Sequence, residues 1–150
     1  MHYNLGNTLE RYGRVREAQE QYVLALAARP DYPEALNNLG ALYGRRGENE
    51  LAASLFARAV SAQPGYGPGW FNLGFQSEQA GDLGGALKQY GRAVALQPDA
   101  AEPRVRMGRI LARLGRRDAA IVACREALRL DPGSAGAAAC LREAGSASER

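Results

Sequence analysis

The side chains that could bind something recur at fixed intervals. Asn4, Asn38 and Asn72 stand 34 residues apart. A carboxamide carries one acceptor and two donors, so such a column could pair with the C=O and N–H groups of an extended peptide. That would read backbone rather than sequence. Phe71 and Phe75 are four apart, which places them on neighbouring turns of one helix. An exposed aromatic pair is an anchor for a partner, and Tyr3 could extend it. Arg106, Arg109 and Arg113 share a helical face; unpaired like charges repel there, and the guanidinium fork suits a carboxylate or phosphate. The competing readings are a solvated asparagine face, a Phe71 tucked against Trp70, and a basic face neutralised by Glu78 and Glu102.

Catalytic chemistry has no comparable signal. No Ser/His/Asp set, paired pocket carboxylates or phosphate-binding glycine loop stands out, and the one histidine is His2. The expectation is a non-enzyme with no catalytic residue, no cofactor and no metal site. Cys124 and Cys140 are not a CxxC pair, and two thiols are too few for a disulfide scaffold or a structural zinc site. Cys124 is expected as a buried apolar thiol and Cys140 is assigned no role. This cysteine usage fits a reducing compartment, and with no secretory signal and no apolar run near the ~20 residues of a membrane span, the expected location is cytoplasmic.

The elements that position these residues follow a clock. Pro30, Pro64, Pro98 and Pro132 recur every 34 residues, a period of stacked helical pairs. Gly6, Gly40, Gly74 and Gly108 keep a second phase, and Gly13, Gly47, Gly81 and Gly115 a third. Glycine inside a helix costs ~1 kcal/mol against alanine. Its recurrence at the first set implies a close approach that a side chain would block. The set beginning at Gly13 follows an apolar-periodic stretch and reads as the left-handed residue that stops the first helix of each pair. Ala18, Ala52, Ala86 and Ala120, with Ala25, Ala59, Ala93 and Ala127, put small residues on one face of the second helix for close nesting. Tyr22, Phe56 and Tyr90 share an aromatic phase that Cys124 takes over in the fourth repeat.

Trp70-Phe71-Asn72-Leu73-Gly74 followed by Ala86, Tyr90, Ala93 and Pro98 carries the fullest version of the pattern. Leu36-Asn37-Asn38-Leu39-Gly40-Ala41-Leu42-Tyr43 with Ala52, Phe56, Ala59 and Pro64 repeats it. The sequence resembles the tetratricopeptide repeat family over roughly residues 1–133. The resemblance implies an all-α fold, a right-handed α-solenoid of four helix–turn–helix repeats plus a C-terminal capping helix. It also implies a concave groove, lined by the first helices, in which an extended peptide lies. The candidate peptide-binding residues are Tyr3, Asn4, Asn7, Asn37, Asn38, Phe71, Asn72, Phe75, Arg106, Arg109 and Arg113. Asn7 and Asn38 fall at two phases of the carboxylate clamp of chaperone-binding members, but Pro68 and Asn72 replace its basic residues, so chaperone-tail binding is not expected.

First helices are expected at about 1–12, 34–46, 68–80 and 102–114, and second helices at about 15–28, 49–62, 83–96 and 117–130. Residues 1–144 read as one domain, with repeats at about 1–32, 33–66, 67–100 and 101–133, a capping helix at 134–144 over the open end, and a flexible tail at 145–150. Met1 falls inside the first helix with no capping residue before it, which points to a truncated start. The excess positive charge resides in residues 101–134, which hold eight basic and four acidic residues, a net +4 within a chain total of +3. The expected partner is therefore a protein or peptide with an acidic segment near repeat four. Alternatives are a self-associating homo-oligomer paired through its open end or through Tyr32 and Tyr66, and a substrate-recruiting piece of a larger enzyme such as a glycosyltransferase. Nucleic acid is the least favoured partner, since the basic stripe is short and no row of exposed aromatics accompanies it. Arginine outnumbers lysine, with Lys88 alone, which suggests a GC-rich bacterial genome.

Overall fold

The computed structural model describes residues 1–146. Among them are helices and turns and no strand. In chain order the helices are α1 (His2–Arg11), α2 (Val15–Ala28), α3 (Pro33–Arg45), α4 (Asn49–Ala62), α5 (Gly67–Gln79), α6 (Leu83–Leu96), α7 (Glu102–Arg113), α8 (Arg117–Leu130) and α9 (Ala135–Ser146). The four second helices coincide with their sequence-based bounds, and the first helices lie within two residues of theirs. The fold is an all-α helical-repeat solenoid.

Each first helix stops by the same device. Gly13, Gly47, Gly81 and Gly115 have φ of +74°, +79°, +83° and +73°. At the first of these, Gly13 N–H donates to Glu10 C=O and Arg14 N–H to Leu9 C=O, a closing pattern that satisfies carbonyls the helix leaves open. A residue with a Cβ would be strained at that φ.

The chain forms two compact units, Met1–Gln76 and Ser77–Arg150, where the sequence pattern suggests a single domain. In the first unit, Leu9, Ala18, Tyr22, Leu36, Leu39, Leu42, Leu55 and Ala59 form a buried cluster, with Tyr3, Leu26, Tyr43 and Tyr66 packed on it. In the second, Val105, Leu111, Ala120, Cys124, Ala127, Ala137, Cys140 and Ala144 do the same. The recurrent alanines of α2, α4, α6 and α8 are buried throughout.

The glycine inside α1, α3 and α7 has a visible reason. A Cβ on Gly6 would stand 2.6 Å from the Tyr22 ring, and one on Gly40 would stand 2.8 Å from the Phe56 ring. The aromatic of the second helix thus lies directly on the backbone of the first. In the fourth repeat, a Cβ on Gly108 would stand 2.6 Å from the sulfurs of both Cys124 and Cys140.

Those sulfurs are joined. Cys124 on α8 and Cys140 on α9 form a disulfide, with Cα atoms 5.6 Å apart and both residues fully buried. This corrects the expectation of a free apolar thiol at Cys124 and of no role for Cys140. The spacing of 16 residues carries no recognisable motif; only the stacking of α9 on α8 brings the two together. The closing helix also runs two residues further than its sequence suggests, so Gly145 and Ser146 are helical rather than tail. Residues 147–150 lie outside the described residues.

Candidate functional site

Five of the asparagine and aromatic candidates are tied into the first unit by their own hydrogen bonds or ring contacts. Tyr22 is fully buried, and its hydroxyl stands 2.7 Å from Asn7 Oδ1 and 2.9 Å from Glu10 Oε2. Asn38 Nδ2 donates to Asn7 Oδ1 at 2.8 Å and to the Tyr22 hydroxyl at 3.3 Å. Glu10 also receives Arg45 of α3. Burial and then the hydrogen bond to Glu10 hold the Tyr22 hydroxyl far above its usual range, so it stays a neutral donor. One step along, Asn72 Nδ2 of α5 donates to Asn37 Oδ1 of α3 at 2.8 Å, and Asn37 is buried. Tyr3 is half-buried, with its ring centroid 4.9 Å from that of Tyr32 and 6.1 Å from that of Tyr22.

These bonds change what the asparagines can offer. Asn38 directs its amide nitrogen at Asn7 Oδ1 and the Tyr22 hydroxyl, so part of its donor capacity is spent inside the protein. Asn38 and Asn72 therefore have less left to donate to a peptide's C=O groups, while their Oδ1 atoms can accept from its N–H groups. Asn4 is exposed and stands apart from both pairs. Replacing Tyr22 with Phe should cost roughly 1–3 kcal/mol, because Asn7 and Asn38 lose a buried partner while the ring stays. Urea unfolding checks this; an unchanged midpoint would mean that water already serves these groups.

Phe71 and Phe75 are both half-buried. Phe75 and Asn72 line an open-mouthed cavity of about 280 Å³ with Ala41, Gly44, Arg45, Phe56 and Gln76. Phe71 is not among its walls. Gln76 escaped sequence reasoning although it follows Phe75 and lies one turn beyond Asn72, because a glutamine on a helix reads as surface. It is 8% exposed.

The three arginines belong to the second unit and are less open than their spacing suggests. Arg106 Nε lies 3.0 Å from Glu102 and its Nη1 3.8 Å from Glu78. Glu78 also accepts the Tyr90 hydroxyl at 2.7 Å. Arg109 Nε lies 3.5 Å from Glu143 of α9 without the alignment of a hydrogen bond. Arg113 is exposed at the end of α7. An acidic ligand would therefore compete with resident carboxylates at two of the three positions.

Among the described residues no group of three or more His, Cys, Asp or Glu is placed to hold a metal ion. No helix among them is long and apolar enough to cross a membrane.

A family model described as Tetratricopeptide repeat matches residues 3–67 and 78–135. The chain belongs to the tetratricopeptide repeat family. Its repeats are of the kind that serve as protein–protein interaction scaffolds, typically without catalysis of their own. The stretch between the matched spans, 68–77, carries Phe71, Asn72, Phe75 and Gln76. No curated protein matches the chain. Among solved structures, it is similar to one titled "Crystal structure of MamA protein", with a TM-score of 0.85 and 23% identity over 97% of this chain and 80% of that one. A second MamA structure gives 0.77 and 21%, over 96% and 94%. The crystal structure of the APC/C hetero-tetramer Cut9-Hcn1 gives 0.85 and 20%, over 95% of this chain and 29% of that one. At these identities the likeness concerns the tetratricopeptide fold.

Proposed function

We propose that this tetratricopeptide chain is a scaffold that holds an extended segment of a partner protein against the first helices α1, α3 and α5 of its first unit. The observation that carries this reading is the open cavity walled by Phe75, Phe56 and Asn72, flanked by asparagine carbonyls suited to a peptide backbone. Rigid aromatic walls beside polar acceptors are what a binding hot spot requires. An acidic partner segment at repeat four would rest mainly on Arg113, since Arg106 and Arg109 already face carboxylates.

Self-association has less support at the turns. Tyr32 lies beneath Arg29, 4.6 Å from its guanidinium carbon, and against Tyr3; Tyr66 packs on the core. As for location, a cytoplasmic placement would hold Cys124 and Cys140 as thiols, and the disulfide between them favours oxidising surroundings.

The test is a displayed peptide library selected on the intact chain and re-measured on Asn38→Ala/Asn72→Ala/Phe75→Ala, with circular dichroism to check folding. Selected peptides should lose at least about tenfold in affinity for the variant. Peptides that bind both proteins alike, or a selection that enriches nothing, would sink the reading.

A further inference from the structure

Gln76, which lines the cavity between α3, α4 and α5, carries an unanswered group. Gln76 Oε1 is buried and has no hydrogen-bond partner among the described residues. A buried acceptor left unmet costs about 1–3 kcal/mol, so a ligand that supplies a donor there recovers stabilisation that the free protein lacks. The torsion that carries the carboxamide is soft. Opposite it, Gly44 has no Cβ; one would stand 3.2 Å from Gln76 Nε2 and crowd the swing of the amide.

The other walls narrow the ligand. Phe56, Phe75 and Ala41 are apolar, and a volume of about 280 Å³ exceeds the ~150 Å³ that admits a benzene ring. Among the described residues no carboxylate lines the cavity, Arg45 does, and Glu10 is already engaged by Arg45. An ammonium would therefore enter without a counter-charge. A carboxylate would bring an acceptor to an acceptor, and a purely apolar side chain would leave Oε1 unmet. We propose that the cavity takes an aromatic side chain of the partner with a hydrogen-bond donor at its tip, tyrosine above all, the ring lying between Phe56 and Phe75 and the donor reaching Gln76 Oε1. The assignment rests on the reading of α3 and α5 as part of the partner-binding face.

The probes are N-acetyl-tyrosinamide and N-acetyl-phenylalaninamide, titrated into the labelled intact chain and followed by NMR. The tyrosine amide should bind roughly tenfold tighter and move the side-chain amide signals of Gln76 and Asn72. Gln76→Leu, which removes the unmet acceptor and should fold at least as well, should bind the two amides alike. Equal affinities on the native chain, a preference that survives Gln76→Leu, or no binding of either amide at this cavity would overturn the assignment. The peptide selection separates the two ideas. Peptides that depend on Phe75 but show no enrichment of tyrosine would leave the scaffold standing and remove the tyrosine pocket.

Discussion

Phe56→Ala is expected to destabilise the first unit by about 3–5 kcal/mol, the range for removing a buried aromatic side chain. Phe56 is 2% exposed and lies on the backbone of Gly40, where a Cβ would meet its ring at 2.8 Å. The contact makes a second, sharper expectation. Gly40→Ala in the native background should cost up to about 2 kcal/mol net, because overpacking of about 1–3 kcal/mol offsets or outweighs the ~1 kcal/mol of better helix propensity. In the Phe56→Ala background the ring is gone and only the propensity gain remains. There the same Gly40→Ala change should stabilise by about 1 kcal/mol. Urea unfolding of the four proteins gives the coupling directly. Should Gly40→Ala shift the midpoint equally in both backgrounds, the close approach is not what keeps glycine at this position.

The second large effect concerns the end of the chain. Reducing the Cys124–Cys140 bond, which closes a loop of 16 residues, should lower the stability of the second unit by about 3 kcal/mol in the chain-entropy account. For a unit of this size that corresponds to a fall in Tm of roughly 12–24 °C. Because both sulfurs are buried, the comparison is made on protein refolded with and without reductant, with thiol titration to confirm each state. Cys124→Ala/Cys140→Ala should melt near the reduced protein and ignore reductant. A reduced protein that melts with the oxidised one would show that α9 is held by packing alone.

The repeat clock made most of the fold legible, and the reasons are local. Gly13 and its counterparts announce left-handed helix stops, and Ala18 and its counterparts a nested face; both are properties of residue type at a position. The candidate site was legible in outline only. Phe75 and Asn72, which line the cavity, could be singled out because helical spacing alone places them on a common face. The Asn7–Asn38 and Asn37–Asn72 bonds were not, since their separations of 31 and 35 residues depart from the period in opposite senses. The carboxylates at Arg106, Glu78 and Glu102, were legible as the competing reading of the basic face, whereas Arg109 looked unopposed because Glu143 reaches it from α9, whose docking no periodicity describes. The disulfide escaped for the same reason.

That disulfide also sets a limit on modularity. Repeats with a common backbone and common helix stops invite shuffling, in which one unit is moved, copied or excised without regard to order. Here the final position is addressed. Tyr22, Phe56 and Tyr90 fill with a ring the place that Cys124 occupies, and only a repeat bearing cysteine at that phase can fasten α9 covalently. A rearranged array ending in any of the first three repeats would present α9 with a ring in place of its bonding partner, so a designer who lengthens this protein should insert repeats ahead of α7 and keep α7, α8 and α9 together as one piece.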